Sequence, residues 1–217
     1  MFNDKFGLTQ AVLEGRKTMT RRICKYDRPD ESWDIVFPVF GSKDYDNEGN
    51  LVSPLFGAFG WKNKDGDFTG WNNPLYKVGE VVAIAQSYMD VDQFHRKGKN
   101  AAYLEYLDSI LPELKLYPGW GNKMFVKADL MPHHIKITGI KVERLQDISD
   151  EDCLKEGIIH VSTFLGQKIY HTPHVNGSYL STNVAQEAFA YLIDKVSGKG
   201  AWESNPFVFA YEFVLFD

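Results

Sequence analysis

No apolar run in this sequence approaches the roughly 20 residues that a membrane-spanning helix needs, so no membrane partner is expected. Cysteine is nearly missing. Cys24 and Cys153 are too few and too far apart for a disulfide framework or a Cys-rich zinc site. The opening residues, MFNDKFGLTQ, lack the basic start and apolar centre of a secretory signal, and the expected location is cytoplasmic. A basic excess is lacking too: 24 Lys and Arg stand against 29 Asp and Glu, for a net charge of −5. Proteins that grip long nucleic acids through many phosphates carry surplus positive charge. Any nucleic-acid role must therefore rest on a local patch or a single nucleotide. P-loops, dinucleotide glycine motifs and Ser or Cys nucleophile motifs are absent.

What is present is a globular composition, 44% hydrophobic and 24% charged over 217 residues. That length suits one domain with large insertions. The pattern predicts a short helix over Thr9–Glu14 ended by Gly15, then a strand within RKTMTRRICK. Residues 27–75 turn rich in Asp, Asn, Gly and Trp and read as an inserted pair of hairpins, with Trp33, Ile35 and Phe37 alternating as in a strand. VGEVVAIA, Val78–Ala85, reads as a buried strand. Residues 92–123 form a second insertion with a helix over Ala101–Ile110 and a turn-rich YPGWGN loop.

His134–Val142 alternates with a phase break at Thr138-Gly139 that predicts a bulge. Ser149–Glu156 is a short helix capped by Ser149 and closed by Gly157. Asn183–Val196 is the strongest helix, with Val184, Ala188, Leu192 and Val196 on one face. Phe207–Leu215 is apolar on both faces and predicts a central strand. Strands outnumber the short, scattered helices, so the fold class is α+β on a curled sheet or small barrel.

The segment Gly15 to Arg22, GRKTMTRR, concentrates cationic side chains in an acidic chain. Along a strand, Arg16, Thr18, Thr20 and Arg22 share one face and Lys17, Met19 and Arg21 the other. With Lys25 and Arg28 the cluster suits a phosphate or carboxylate partner. A solvated edge strand whose Lys and Arg discourage pairing explains the same residues.

LEGRKTMTRR resembles the signature of the ASCH domain, a family of PUA-like β-barrels whose pattern is roughly G-x-K-x-x-[ET]-x-R after a short helix. Gly15, Lys17, Thr20 and Arg22 match it. VGEVVAIA, IKITGIKVERLQDISDEDCLKEGI and NPFVFAYEF follow in the family's order. The resemblance covers about half of the chain, with the insertions outside it. It implies one PUA-like barrel with short flanking helices and loop-rich insertions, of a longer form found in phages and bacteria. It further implies a cleft for RNA or a modified nucleoside. One branch of the family hydrolyses the amide of N4-acetylcytidine with a Lys, a Thr and a Glu in a K-T-x-T-x-R setting. Lys17 and Thr20 match that branch, and Glu156 falls where its Glu lies.

In that chemistry Thr20 attacks the carbonyl, a neutral Lys17 takes its proton, and Glu156 orients the lysine or shuttles the proton. Gly15, Arg16, Arg21 and Arg22 are the expected ligand-binding neighbours. Trp71 and Trp120, like Trp61 in Gly/Asn-rich loops, are candidates to stack on a base, although packing of the insertions against the barrel is the more common use of such rings. No cofactor and no metal is expected: His133, His134, His160, His171 and His174 lack a ligand spacing and read as surface and loop histidines. Three functions remain open at this level: RNA or nucleoside binding, amide hydrolysis, and a protein-interaction module that has kept the fold and lost the ligand.

Overall fold

The computed structural model describes residues 2–49, 51–98, 105, 106, 108–110, 112, 118–162, 166–173 and 179–216. The first half contains α1 (Leu8–Leu13), β1 (Met19–Ile23), β2 (Asp34–Val36), β3 (Gly60–Lys62), β4 (Val81–Ala83) and α2 (Tyr88–Gly98). The second half contains β5 (His134–Arg144), α3 (Asp150–Lys155), β6 (Ile159–Ser162), β7 (Lys168–His171), β8 (Ser181–Thr182), α4 (Ala185–Ser197) and β9 (Phe207–Leu215). Of the helix expected over 101–110, residues 105, 106 and 108–110 are helical, and 101–104 and 107 lie outside the described residues. No helix among the described residues is long and apolar enough to cross a membrane.

β9 organises the chain. Phe209, Tyr211 and Phe213 are buried on one face, and Val208 and Ala210 on the other. A strand dry on both faces must sit between neighbours. It pairs antiparallel with β1 from Met19↔Glu212 to Ile23↔Val208, and with β5 on its other side. The order β1-β9-β5-β4 makes a curled antiparallel half-barrel, so the architecture is α+β with few, short helices. The β5–β9 register shifts between Ile137 and Gly139, at the expected bulge. Gly139 suits that place, because a Cβ there would lie 3.2 Å from Glu212 Oε2.

α4 lies against α3, β7 and β8 and buries Ala185, Ala188, Phe189, Leu192 and Ile193 in the core it shares with β9. The expected stripe is thereby corrected. Val184 is the extended N-cap residue, and both it and Val196 are exposed at their helix ends. At 3.6 residues per turn, a four-residue spacing drifts by about 40° per step, so a run of such steps winds off the buried face.

The first insertion is drawn into the core rather than appended to it. β2 pairs with β3, and residues 68 and 72 return against 62 and 59. Phe59 and Trp61 are buried among Phe207 and Phe209. Trp33 and Ile35 pack on that cluster, whereas Phe37 lies past the end of β2 and is exposed. The second insertion packs Ile110 and Trp120 against a separate small cluster of Tyr88, Val91 and Met131, residues that flank it. A three-stranded sheet, β6-β7-β8, is an addition that the sequence pattern did not announce.

Candidate functional site

The site begins where α1 stops. Gly15 takes a left-handed φ of 70°, and the amides of Arg16 and Lys17 both donate to the Ala11 carbonyl. This turn starts the chain into β1 with Lys17, Met19 and Arg21 facing inward, exposed by only 3%, 0% and 5%. Thr18, Thr20 and Arg22 take the other face and are half-buried. The alternation expected of the motif is the one observed, save that Arg16 turns out to solvent and pairs with exposed Glu14.

α3 supplies the opposing carboxylates. Ser149 Oγ accepts the Asp152 amide and caps its start. Glu156 ends it, and Gly157, at φ 104°, turns the chain away. The Thr18 amide donates to the Lys155 carbonyl and ties β1 to this end.

Lys17 Nζ then donates to Glu156 Oε2 at 2.6 Å, to the Glu156 carbonyl at 2.8 Å and to the Met19 carbonyl at 2.7 Å. Arg21 donates to Glu156 Oε1 at 3.2 Å, to Asp152 Oδ2 at 3.0 Å and through Nε to Glu143 Oε1 at 3.0 Å. Lys141 Nζ reaches Asp152 Oδ2 at 2.6 Å and Glu143 Oε2 at 3.1 Å. Three cations and three carboxylates thus neutralise one another beneath the sheet edge.

Burial pulls the Lys17 pKa below the usual lysine range; the Glu156 carboxylate opposes it, and Arg22 and Arg21 add to the lowering. Three oxygens nonetheless take one proton each, an arrangement that only the ammonium satisfies in full. Burial also works against the Arg21 charge, but Glu156 and Glu143 outweigh it and raise that pKa. Both thiols are pushed up to about 12 by burial, so neither Cys24 nor Cys153 is a nucleophile at neutral pH.

Above the network lies a cavity of about 330 Å³. Its polar side carries Lys17, Thr20, Arg22 and Glu156, and its apolar side is made by Phe2, Leu8 and the Phe189, Leu192 and Ile193 face of α4. The Thr20 hydroxyl makes no hydrogen bond among the described residues. Lys17, Thr20, Glu156, Arg21 and Arg22 are therefore brought together as a set.

Gly15, Arg16, Trp71 and Trp120 do not line this cavity. Trp71 packs edge-on to Phe68 with ring centres 4.8 Å apart, Trp120 belongs to the second cluster, and Trp61 is core. The insertion rings are used for packing and not at the cavity rim. His171 stacks on Tyr179 and His133 meets Phe94; His174 lies outside the described residues. Among the described residues no group of three or more His, Cys, Asp or Glu is placed to hold a metal ion.

Sequence reasoning missed Glu143, Asp152 and Lys141 as partners of Arg21, and Phe2 and α4 as the apolar wall. The apolar face expected of the 183–196 helix was the one signal for the wall.

The site thus defines the class: an α+β half-barrel protein with a small cavity, polar on one side and apolar on the other, seated on a largely buried ion network. Compared with protein-family models, curated proteins and solved structures, the chain matches none.

Proposed function

We propose that the cavity binds a nucleoside-like ligand, free or as one nucleotide of an RNA, in a PUA-like barrel of the ASCH type. One observation carries this reading. Lys17, Thr20, Arg22 and Glu156, the residues quoted for the resemblance, meet at one cavity although 139 positions separate Lys17 from Glu156. The chemistry of the walls agrees. An apolar face formed by Phe2, Phe189 and Leu192 suits the plane of a base, while the Thr20 hydroxyl and Arg22 guanidinium suit its carbonyls. Ligand pockets run from about 300 to 1,000 Å³, so 330 Å³ suits a single nucleoside and not a duplex. Calorimetric titration with the four ribonucleosides and N4-acetylcytidine tests the reading. At least one binds, and Thr20→Val and Arg22→Gln each weaken it; binding by none of the five overturns it.

Hydrolysis of an acylated nucleoside is the second reading, favoured by the 2.6 Å contact of Lys17 with Glu156 beside Thr20. Thr20 Oγ1 would attack the acyl carbonyl, and the amide C–N bond would break as the leaving amine takes up the proton given by Thr20. Water would then free the acid from the Thr20 ester. The Thr20 proton needs an acceptor with a free lone pair on the way. Lys17 has none while it donates three hydrogen bonds. It becomes a base only after passing a proton to Glu156, the carboxylate already in contact. Release of acetate from N4-acetylcytidine, lost in Thr20→Val, supports this reading; binding without product leaves the binding reading alone.

A further inference from the structure

Resting on the binding reading, we infer that the ligand carries a phosphate group, accepted in a second cavity that continues the first and is walled by Lys5 and the end of the second insertion. The second cavity measures about 510 Å³ and shares Phe2, Asn3, Arg22 and Val196 with the first. The two cavities adjoin along these residues. A ligand whose base fills the inner part extends past Arg22 into the outer part.

The outer part is shaped for an anion. Its charged residues are Lys5, Arg22 and Lys123 against Asp4 alone. Another cavity, about 460 Å³ beside α1 and α2, has the opposite balance, with Asp4 and Asp90 against Lys97, and the cavity of about 550 Å³ at β7 and β8 has Lys168 as its one charged residue. In a chain of net charge −5, positive charge has been gathered at this cleft.

The cations divide their work. Lys123 donates to the Phe2 carbonyl, to Asp4 Oδ1 at 2.7 Å and to Thr9 Oγ1 at 3.0 Å. It therefore cancels Asp4 and fastens the N-terminal turn to the insertion. Lys5, exposed on the adjoining turn, makes no side-chain hydrogen bond or ion pair among the described residues. Asn122 uses its Oδ1 to accept the Met124 amide, which leaves its NH₂ for a ligand. Arg22, on the shared wall, offers a planar fork of donors that matches a phosphate. A nucleotide, as a monophosphate or within a single strand, is the ligand class that presents a base and a phosphate at such neighbouring places.

The test compares the best-binding nucleoside with its 5′- and 3′-monophosphates and with a single-stranded trinucleotide containing it. Phosphate raises affinity about tenfold or more, and the gain shrinks as salt rises from about 50 to 200 mM. Lys5→Gln closes most of the gap between monophosphate and nucleoside. A gain with the monophosphates alone assigns a terminal phosphate; a further gain with the trinucleotide assigns a phosphodiester. Equal affinity for nucleoside and phosphorylated forms overturns the inference and leaves the nucleoside pocket standing. A gap that persists in both Lys5→Gln and Lys5→Glu overturns the placement of the phosphate. Failure of every nucleoside and nucleotide to bind removes both readings together.

Discussion

Lys17 gives its three protons to Glu156 Oε2, the Glu156 carbonyl and the Met19 carbonyl, with almost no side-chain surface left to water. Lys17→Met keeps much of the volume but leaves Glu156 facing Arg21 only, and breaking a buried pair from one side costs about 3–5 kcal/mol. Lys17→Met/Glu156→Gln recovers part of that loss, because no carboxylate is then left short of charge. Urea midpoints of the single and double variants measure the difference. Thr20 behaves in the opposite way. Its hydroxyl has no partner to lose, so Thr20→Val shifts stability by less than about 0.5 kcal/mol. Under the proposed binding function, the same change lowers nucleoside affinity by about two- to tenfold, the worth of one hydrogen bond. At this scale the motif made Lys17, Thr20 and Arg22 legible, since period-two alternation alone assigns their faces. The partners of Arg21 were not legible. They arrive from 122 and 131 positions away, and no local spacing encodes such a meeting.

β9 and the bulge in β5 were readable because each is written in a few contiguous residues: two apolar faces in one case, a slip of phase at Gly139 in the other. The three-stranded β6-β7-β8 sheet was not readable, since its strands are two to four residues long and gain meaning only from pairing. The insertion hairpin shows how tightly such a unit is tied to the core. A Cβ at Gly60 would stand 2.5 Å from Phe68 Cε2 and 2.7 Å from the Gly70 carbonyl oxygen. The ring can swing aside, but the carbonyl belongs to the backbone. Gly60→Ala therefore costs about 1–3 kcal/mol, and amide exchange rises across residues 58–72 before it rises in β9. A uniform rise across both would mean that the insertion and the half-barrel open as one unit.

For the whole molecule, acid is the solvent variable that reaches the ion network. Burial alone would raise the Asp152 pKa, but hydrogen bonds and charge from Lys141, then Arg21, outweigh it and bring it below the ordinary value of 3.8. A carboxyl depressed in the folded state adds stability above its unfolded pKa, and the contribution is lost as pH falls through the folded one. Stability thus drops below about pH 4, and Asp152→Asn, with less to lose there, gives a shallower acid limb in urea titrations across that range. The net charge of −5 told of no extended basic groove but hid the local positive cleft, because composition averages over places that folding separates. The balanced network also bears on descent. Its six charges lie in three segments, 17–21, 141–143 and 152–156, and a lineage that loses one of the four buried ones, Lys17, Arg21, Asp152 or Glu156, inherits an unmatched charge away from water. Viable histories then move by paired steps or stay still. An alignment of relatives is expected to show the buried charges changing in company, with the cavity walls around them varying more freely.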